Sequence, residues 1–188
     1  MSDQTRQYAE DISGIRPDHV ERYRFAARRV RGRKVLDLAC GCGYGSWILH
    51  DAGNLVTGVD IEQEAIDYAQ RHYQGPTYIC QPGDRTTGHF DALISFETLE
   101  HLDKPEEILA LDFPLVIASV PNEEHFGFRP EKFSGDKYPH KRHYTPSQFE
   151  KLLTDAGFTV RERFCQRDKL GKITEGTEGR FLIYTANR

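Results

Sequence analysis

The chain reads as an α/β protein: a doubly wound, mostly parallel sheet with helices on both faces. Three observations carry that reading. Short apolar runs near 35–40, 55–60, 76–81, 90–96 and 115–120 alternate with helix-like stretches near 44–52, 62–73 and 104–110. The runs are continuously apolar rather than alternating, as strands covered on both faces are. Two last runs, Thr159 to Arg167 and Arg180 to Thr185, flank a polar, glycine-bearing stretch at 169–179 that reads as a loop, so an antiparallel hairpin closes the sheet.

Taken in order, residues 16–31 predict a helix that opens at Pro17 and Asp18, with Val20, Tyr23, Ala27 and Val30 on one face. Lys34-Val35-Leu36-Asp37-Leu38-Ala39-Cys40-Gly41-Cys42-Gly43-Tyr44-Gly45-Ser46 then predicts a buried strand, a glycine-rich turn and a helix start. The next strand, Leu55-Val56-Thr57-Gly58-Val59-Asp60, ends in a carboxylate. Glycines let backbone approach a ligand, and an acid at the following strand end accepts hydrogen bonds from a ribose diol. The pair describes a nucleoside-binding crevice. The spacing Gly41-x-Gly43-x-Gly45 followed by Ser46 departs from the dinucleotide fingerprint G-x-G-x-x-G. A P-loop needs a lysine after its last glycine, and none lies between Lys34 and Lys104. Asp37, inside the end of the first strand, suits a ligand with a cationic amine better than one with phosphates.

These residues resemble the first motif of the class I S-adenosylmethionine-dependent methyltransferases, in particular their small-molecule branch. In that motif, D-x-G-x-G-x-G, Ala39 stands where the first glycine would be. Asp60 matches the family's ribose-binding acid, and Pro82-Gly83-Asp84 the segment that faces the adenine. Phe90 to Leu102 resembles the fourth-strand motif, Val116 to Asn122 the fifth strand and its exit, and Tyr144 to Phe158 the family's tail. The resemblance implies a Rossmann-like, seven-stranded sheet with a reversed final strand and S-adenosyl-L-methionine as cofactor. It implies cofactor contacts at Asp37, Ala39, Gly41, Gly43, Asp60, Ile61, Asp84, Phe96 and Glu97. Asp37 would orient the methionine amine, Ile61 would pack on the adenine, and Tyr8 and Tyr23 would close over the cofactor. One departure is the connection from the fourth to the fifth strand: Pro105 to Asp112 runs almost directly into Pro114. It is shorter than the family's usual helix and Pro-Gly-Gly turn, so one sheet face is expected to be thinly covered.

Glu97 and His101 lie four apart and share a face if the segment is helical. His101 is the candidate catalytic base, with pocket lining and a structural role as the alternatives. Segment 122–145 is a long irregular insert leaving the fifth strand, where open α/β sheets place ligands. It reads as a substrate lid, with Asn122, His125, Arg129, His143 and Tyr144 as candidate acceptor contacts; Lys141 and Arg142 join Arg129 as possible partners of an acidic group. Glu123, Glu124, His125, His140 and His143 fit no H-E-x-x-H spacing, so no metal is assigned.

The 188 residues make one domain, 1–188, whose first 31 residues are the helical N-terminal segment. A net charge of −4 argues against a broad nucleic-acid face, although Arg28, Arg29, Arg31, Arg33 and Lys34 cluster before the first strand. No apolar run approaches the ~20 residues that span a bilayer, and Met1 to Glu10 are polar, so no membrane and cytoplasmic residence are the expectations. Cys40, Cys42, Cys80 and Cys165 show neither C-x-x-C nor zinc spacing. The expected activity is methyl transfer to an oxygen or nitrogen of a small or sugar-like metabolite. A nicotinamide-dependent oxidoreductase and a cofactor-binding scaffold without turnover are the alternatives. The oligomeric state is left open.

Overall fold

The computed structural model describes residues 7–168 and 170–188. The polar opening at 1–6 and Lys169, in the stretch read as a loop, lie outside the described residues. Helix α1 (Pro17–Ala27) starts on a proline with Asp18 in its first turn, and proline is preorganised for that position. It ends four residues before the predicted boundary. The chain then turns at Gly32, φ 62°, into β1 (Lys34–Leu38). There follow α2 (Tyr44–Asp51), β2 (Leu55–Asp60), α3 (Gln63–His72), β3 (Thr77–Cys80), β4 (Ala92–Phe96), α4 (Pro105–Leu109) and β5 (Leu115–Pro121). The insert holds a single helical turn, α5 (Glu123–Phe126). After it come α6 (Pro146–Asp155), β6 (Thr159–Gln166), β7 (Ile173–Glu175) and β8 (Phe181–Asn187).

The sheet order is β3-β2-β1-β4-β5-β8-β6-β7. The five N-terminal strands are parallel, and β8 enters antiparallel between β5 and β6, pairing Ile117 with Thr185 and Ser119 with Ile183. The predicted parallel sheet and reversed closing strand are therefore present, with eight strands among the described residues in place of seven. The extra one is β7, which pairs Gln166 with Ile173 and Phe164 with Glu175 across the stretch expected to be loop. Ile173 and Thr174 are β-branched and suit an extended edge, a signal too short to stand out among polar neighbours.

Side chains alternate across β1 and so divide the core. Val35 faces the cluster beneath α1, α2 and α3, with Phe25, Ile48 and Ile66; Leu36 and Leu38 face the opposite cluster, with Leu109, Phe149 and Leu153. Asp37, one residue from either leucine, shares Val35's side. The short fourth-to-fifth connection leaves no thin face: Ile108, Leu109 and Phe113 are buried there beside Phe149 of α6. That helix begins with a reciprocal cap, the Thr145 hydroxyl accepting from the Gln148 N–H and the Gln148 side chain accepting from the Thr145 N–H. Among the described residues no helix is long and apolar enough to cross a membrane.

Strand β1 lies between β2 and β4, so the chain leaves it on one side and returns on the other. Crevices that bind ligands in open α/β sheets form at the carboxyl ends of the strands at such a switch.

Candidate active site

The turn after β1 lies at that crevice. Its residues 39, 41 and 43 have φ of 55°, 54° and 89°, a region that disfavours every residue with a Cβ. Gly43 is further constrained by packing, since a Cβ there would stand 2.5 Å from the Ala69 Cβ. Ala39 carries the strain that glycine would avoid. Ala39→Gly is accordingly expected to raise unfolding free energy by about 1 kcal/mol in urea denaturation. A loss of stability would show that the Ala39 methyl packs for more than its backbone costs.

Asp60 clasps the turn. Its Oδ2 accepts from the Gly41 N–H at 2.9 Å and its Oδ1 from the Glu62 N–H at 3.0 Å. The carboxylate thus orients two loops, and it also lines a cavity of about 480 Å³ at the strand ends, a size suited to a small organic ligand. Ala39, Gly41, Asp60, Ile61, Phe96, Glu97 and His101 come together on its wall. Gly41 has open space where a Cβ would stand, and Ile61 is 47% exposed toward the cavity mouth.

Asp37 and Gly43 stand behind that wall. Both Asp37 oxygens are occupied, Oδ1 by the Tyr23 hydroxyl at 3.0 Å and Oδ2 by the Ser46 hydroxyl at 2.6 Å. Full burial pushes its carboxyl up to about 7, against the lowering effect of those two donors. Its reach to the cavity runs through Tyr23, whose ring is on the wall. Tyr8 instead packs edge-on against Tyr68, with ring centroids 5.0 Å apart. Asp84 lies in a short 3-10 turn, Gly83–Arg85, and Gly83 rather than Asp84 reaches the wall.

Glu97 follows β4 with φ 51°, a left-handed conformation that is costly for a side chain of this size and typical of functional sites. Its Oε1 accepts from the Ser119 hydroxyl at 2.7 Å, and burial raises its carboxyl above the usual range. Leu99–His101 is a 3-10 turn, so Glu97 and His101 are not stacked on a helix as the spacing predicts. Both nevertheless line the cavity.

The insert contributes different residues from those predicted. Lys137, Tyr138, Pro139 and Lys141 line the cavity; Asn122, His125, Arg129, His143 and Tyr144 do not. Asn122 is buried and committed to backbone, its amide donating to the carbonyls of Thr177 and Gly179 while its Oδ1 caps α5. Tyr144 is buried with its hydroxyl toward the Leu99 carbonyl, and His125 and Arg129 are exposed. His143 packs among Phe126, Phe128 and Phe133. The insert's cavity-facing strip is held down by Lys137 and Tyr138, both bonded to the Glu62 carboxylate.

Helix α1 supplies His19 and Arg22 beside Tyr23. His19 Nδ1 lies 2.9 Å from the Tyr44 hydroxyl, and burial lowers its pKa to about 2, so the ring is neutral. The helical offsets 19, 22 and 23 already put these three on one face. An apolar count of that face includes only Tyr23 and passes over its polar neighbours.

Residues 36–111 match the family model described as a methyltransferase domain. In sheet order, strand-end clasp and this match the chain is similar to the class I S-adenosylmethionine-dependent methyltransferases, whose cofactor is S-adenosyl-L-methionine. It is similar to a probable S-adenosylmethionine-dependent methyltransferase of Mycolicibacterium smegmatis, 25% identical over 74% of this chain and 57% of that protein. It is also similar to the ubiquinone biosynthesis O-methyltransferase of Coxiella burnetii, 34% identical over 43% of this chain and 37% of that one. The chain therefore spans between about a third and three fifths of these curated relatives. In fold it resembles the magnesium protoporphyrin IX methyltransferase of Synechocystis with bound SAH, at TM-score 0.66 and 23% identity, covering 91% of this chain and 80% of that one. A Mesorhizobium loti S-adenosylmethionine-dependent methyltransferase gives TM-score 0.70 at 20% identity, covering 89% and 98%.

Proposed function

We propose that this chain transfers the methyl group of S-adenosyl-L-methionine to an oxygen or nitrogen of a small or sugar-like metabolite. The observation that carries the reading is the clasp between Asp60 and the Gly41 N–H at the mouth of the cavity. The residues fit the cofactor: an open glycine, a fixed carboxylate and a half-exposed isoleucine stand in succession along one wall. When bound, the cofactor supplies an activated methyl on a sulfonium, so the protein's work is positioning, exclusion of water and removal of a proton where one must leave.

In this reading Asp60 holds the ribose hydroxyls, Ile61 covers the adenine, and Tyr23, backed by Asp37, faces the amino-acid end. His101 stands as the candidate base, and the strip 137–141 covers the acceptor. The names of the relatives support a small-molecule acceptor: one acts in ubiquinone biosynthesis, another on magnesium protoporphyrin IX. Cytoplasmic residence belongs to the same proposal, since the four cysteines are free thiols, as a reducing compartment keeps them.

Asp60→Ala is expected to weaken S-adenosylhomocysteine binding by roughly 10- to 150-fold, the effect of losing a charge-assisted hydrogen bond worth about 1.5–3 kcal/mol. Calorimetric titration checks this, and an unchanged affinity removes Asp60 from the site. Incubating the protein with methyl-labelled cofactor and fractionated metabolites tests the transfer itself. Cofactor binding without label in any fraction would favour the scaffold.

A further inference from the structure

Beside the cofactor wall the fold assembles three groups that are far apart in sequence. Glu100 and His101 lie in the turn after β4, and His140 comes from the lid. One ligand atom from each lies within 4.8 Å of the others. Glu100 is fully buried, and neither carboxylate oxygen has a hydrogen-bond partner. A buried carboxylate without donors is costly, and either a proton or a cation must compensate it. The His101 Nε2 stands 4.0 Å from Oε1, beyond hydrogen-bond distance.

The two imidazoles are oriented as metal ligands are. His101 Nδ1 faces the Pro139 carbonyl at 3.3 Å, so the proton sits on Nδ1 and Nε2 keeps its lone pair toward Glu100. His140 Nδ1 is 3.0 Å from His143 Nε2, and His143 Nδ1 lies 3.7 Å from the Glu123 carboxylate. In one of the two tautomer arrangements that this contact allows, His143 Nε2 accepts from His140 Nδ1–H. The Nε2 of His140 is then the nitrogen with a lone pair. A carbonyl on the far nitrogen, as at His101, is a usual support of a metal-bound histidine; His140 has the His143 imidazole in that place.

We propose that Glu100, His101 and His140 bind a divalent first-row transition-metal ion in the cavity wall. Two imidazoles and one carboxylate favour Mn²⁺, Fe²⁺, Co²⁺ or Zn²⁺ over Mg²⁺ and Ca²⁺, which prefer all-oxygen sites. Ligand atoms bound at about 2.0–2.2 Å stand roughly 3–3.5 Å apart, so the lid moves inward by about an ångström on binding. With the ion bound, His101 serves as its ligand in place of a free base; the residue also lines the cavity, which leaves one side of the ion toward the space assigned to the acceptor. An ion there would hold an acceptor oxygen or nitrogen. That role rests on the methyltransferase reading, whereas binding of the ion does not.

The sequence reading assigns no metal because it groups His140 with its lid neighbours; the partners across the fold are 39 and 40 positions away.

The test is calorimetric titration of chelator-treated, untagged protein with Co²⁺ and with Mg²⁺, supported by the visible spectrum of the cobalt form. One equivalent of Co²⁺ with a ligand-field band is expected, with Mg²⁺ much weaker. Glu100→Gln and His140→Ala should each lower Co²⁺ affinity more than tenfold, and His143→Phe by about 10- to 100-fold through loss of the supporting contact. S-adenosylhomocysteine affinity should be unchanged in Glu100→Gln and His140→Ala, which shows that the fold and the cofactor site are intact. His140 is part-exposed, so His140→Ala decides the matter if the buried substitution at Glu100 does not fold. No Co²⁺ binding to the wild-type protein, or equal affinity in the variants, overturns the site. The cofactor reading fails separately, on loss of S-adenosylhomocysteine binding.

Discussion

Arg22→Met is expected to cost about 3–5 kcal/mol of folding stability, measured by urea unfolding at neutral pH. The side chain is 1% exposed. Its guanidinium donates to Gln166 Oε1 at 2.9 Å, lies 3.9 Å from Asp18 Oδ2 and covers the Phe181 ring at 4.9 Å. Methionine fills similar space without charge or donors. Asp18, fully buried, then keeps only Arg16, which is itself 41% exposed and bonds Asp18 at 2.6 and 3.1 Å. Gln166 loses the donor to its oxygen while its amide still serves the carbonyls of Asp18 and Gly171. The contact joins the first helix to the C-terminal strands, so its loss loosens the side of the cavity that α1 covers. Adding Asp18→Asn to Arg22→Met should recover part of the loss, because the stranded charge goes with it. A cost below 1 kcal/mol would mean that Arg16 alone satisfies Asp18.

How far the site was legible follows from where its parts lie along the chain. The turn 39–43 and Asp60 are local signals, and the structure gives positive φ at 39, 41 and 43 and hydrogen bonds from the Gly41 and Glu62 N–H groups to Asp60. The Rossmann-like layering was likewise written in the apolar runs, and the reversed strand in the closing hairpin. The contacts of the 122–145 insert were not legible. Histidines and arginines in an aperiodic segment carry no period from which to infer a face, and the structure brings Lys137, Tyr138, Pro139 and Lys141 to the cavity while pairing Asn122 with Tyr144 in an isolated bridge past the end of β5. Arg22 was hidden for a different reason. An arginine in the charged run Glu21-Arg22-Tyr23-Arg24 reads as solvent-facing until its partners, Gln166 and Phe181, arrive from more than 140 residues away. Asp37 shows the limit even within a motif, for its position was legible and its orientation was not. Period-2 alternation along β1 sends it toward α1 and α2, where Tyr23 and Ser46 take both oxygens.

That orientation gives Asp37 a pH signature. Its carboxyl, held near 7 in the folded protein, titrates close to 3.8 when unfolded. Between those values the native state retains a proton that the unfolded chain has released, so Asp37 withdraws stability as pH rises from about 4 to about 7 and no further above that. The full penalty is roughly 4 kcal/mol, at about 1.36 kcal/mol for each pH unit that separates the two values. Asparagine mimics the protonated form: its oxygen accepts from Tyr23, and its amide donates to a turned Ser46 hydroxyl. Asp37→Asn should therefore gain stability over the wild-type protein steadily from pH 4 to pH 7, the advantage at pH 8 exceeding that at pH 5 by a few kcal/mol. His19 and His140 act with the opposite sign. Their folded values, lowered by burial to about 2 and 3, make acid below 6.5 destabilising. They are common to both proteins and cancel in the difference. Tyr23→Phe removes a donor to the carboxylate and should raise the Asp37 value further, carrying the loss of stability past pH 7. Paired urea titrations at pH 5 and pH 8 measure all of this. A constant gap between Asp37→Asn and the wild-type protein would show that the two hydroxyls hold the carboxylate ionised, leaving a fixed negative charge beneath Tyr23 rather than a proton.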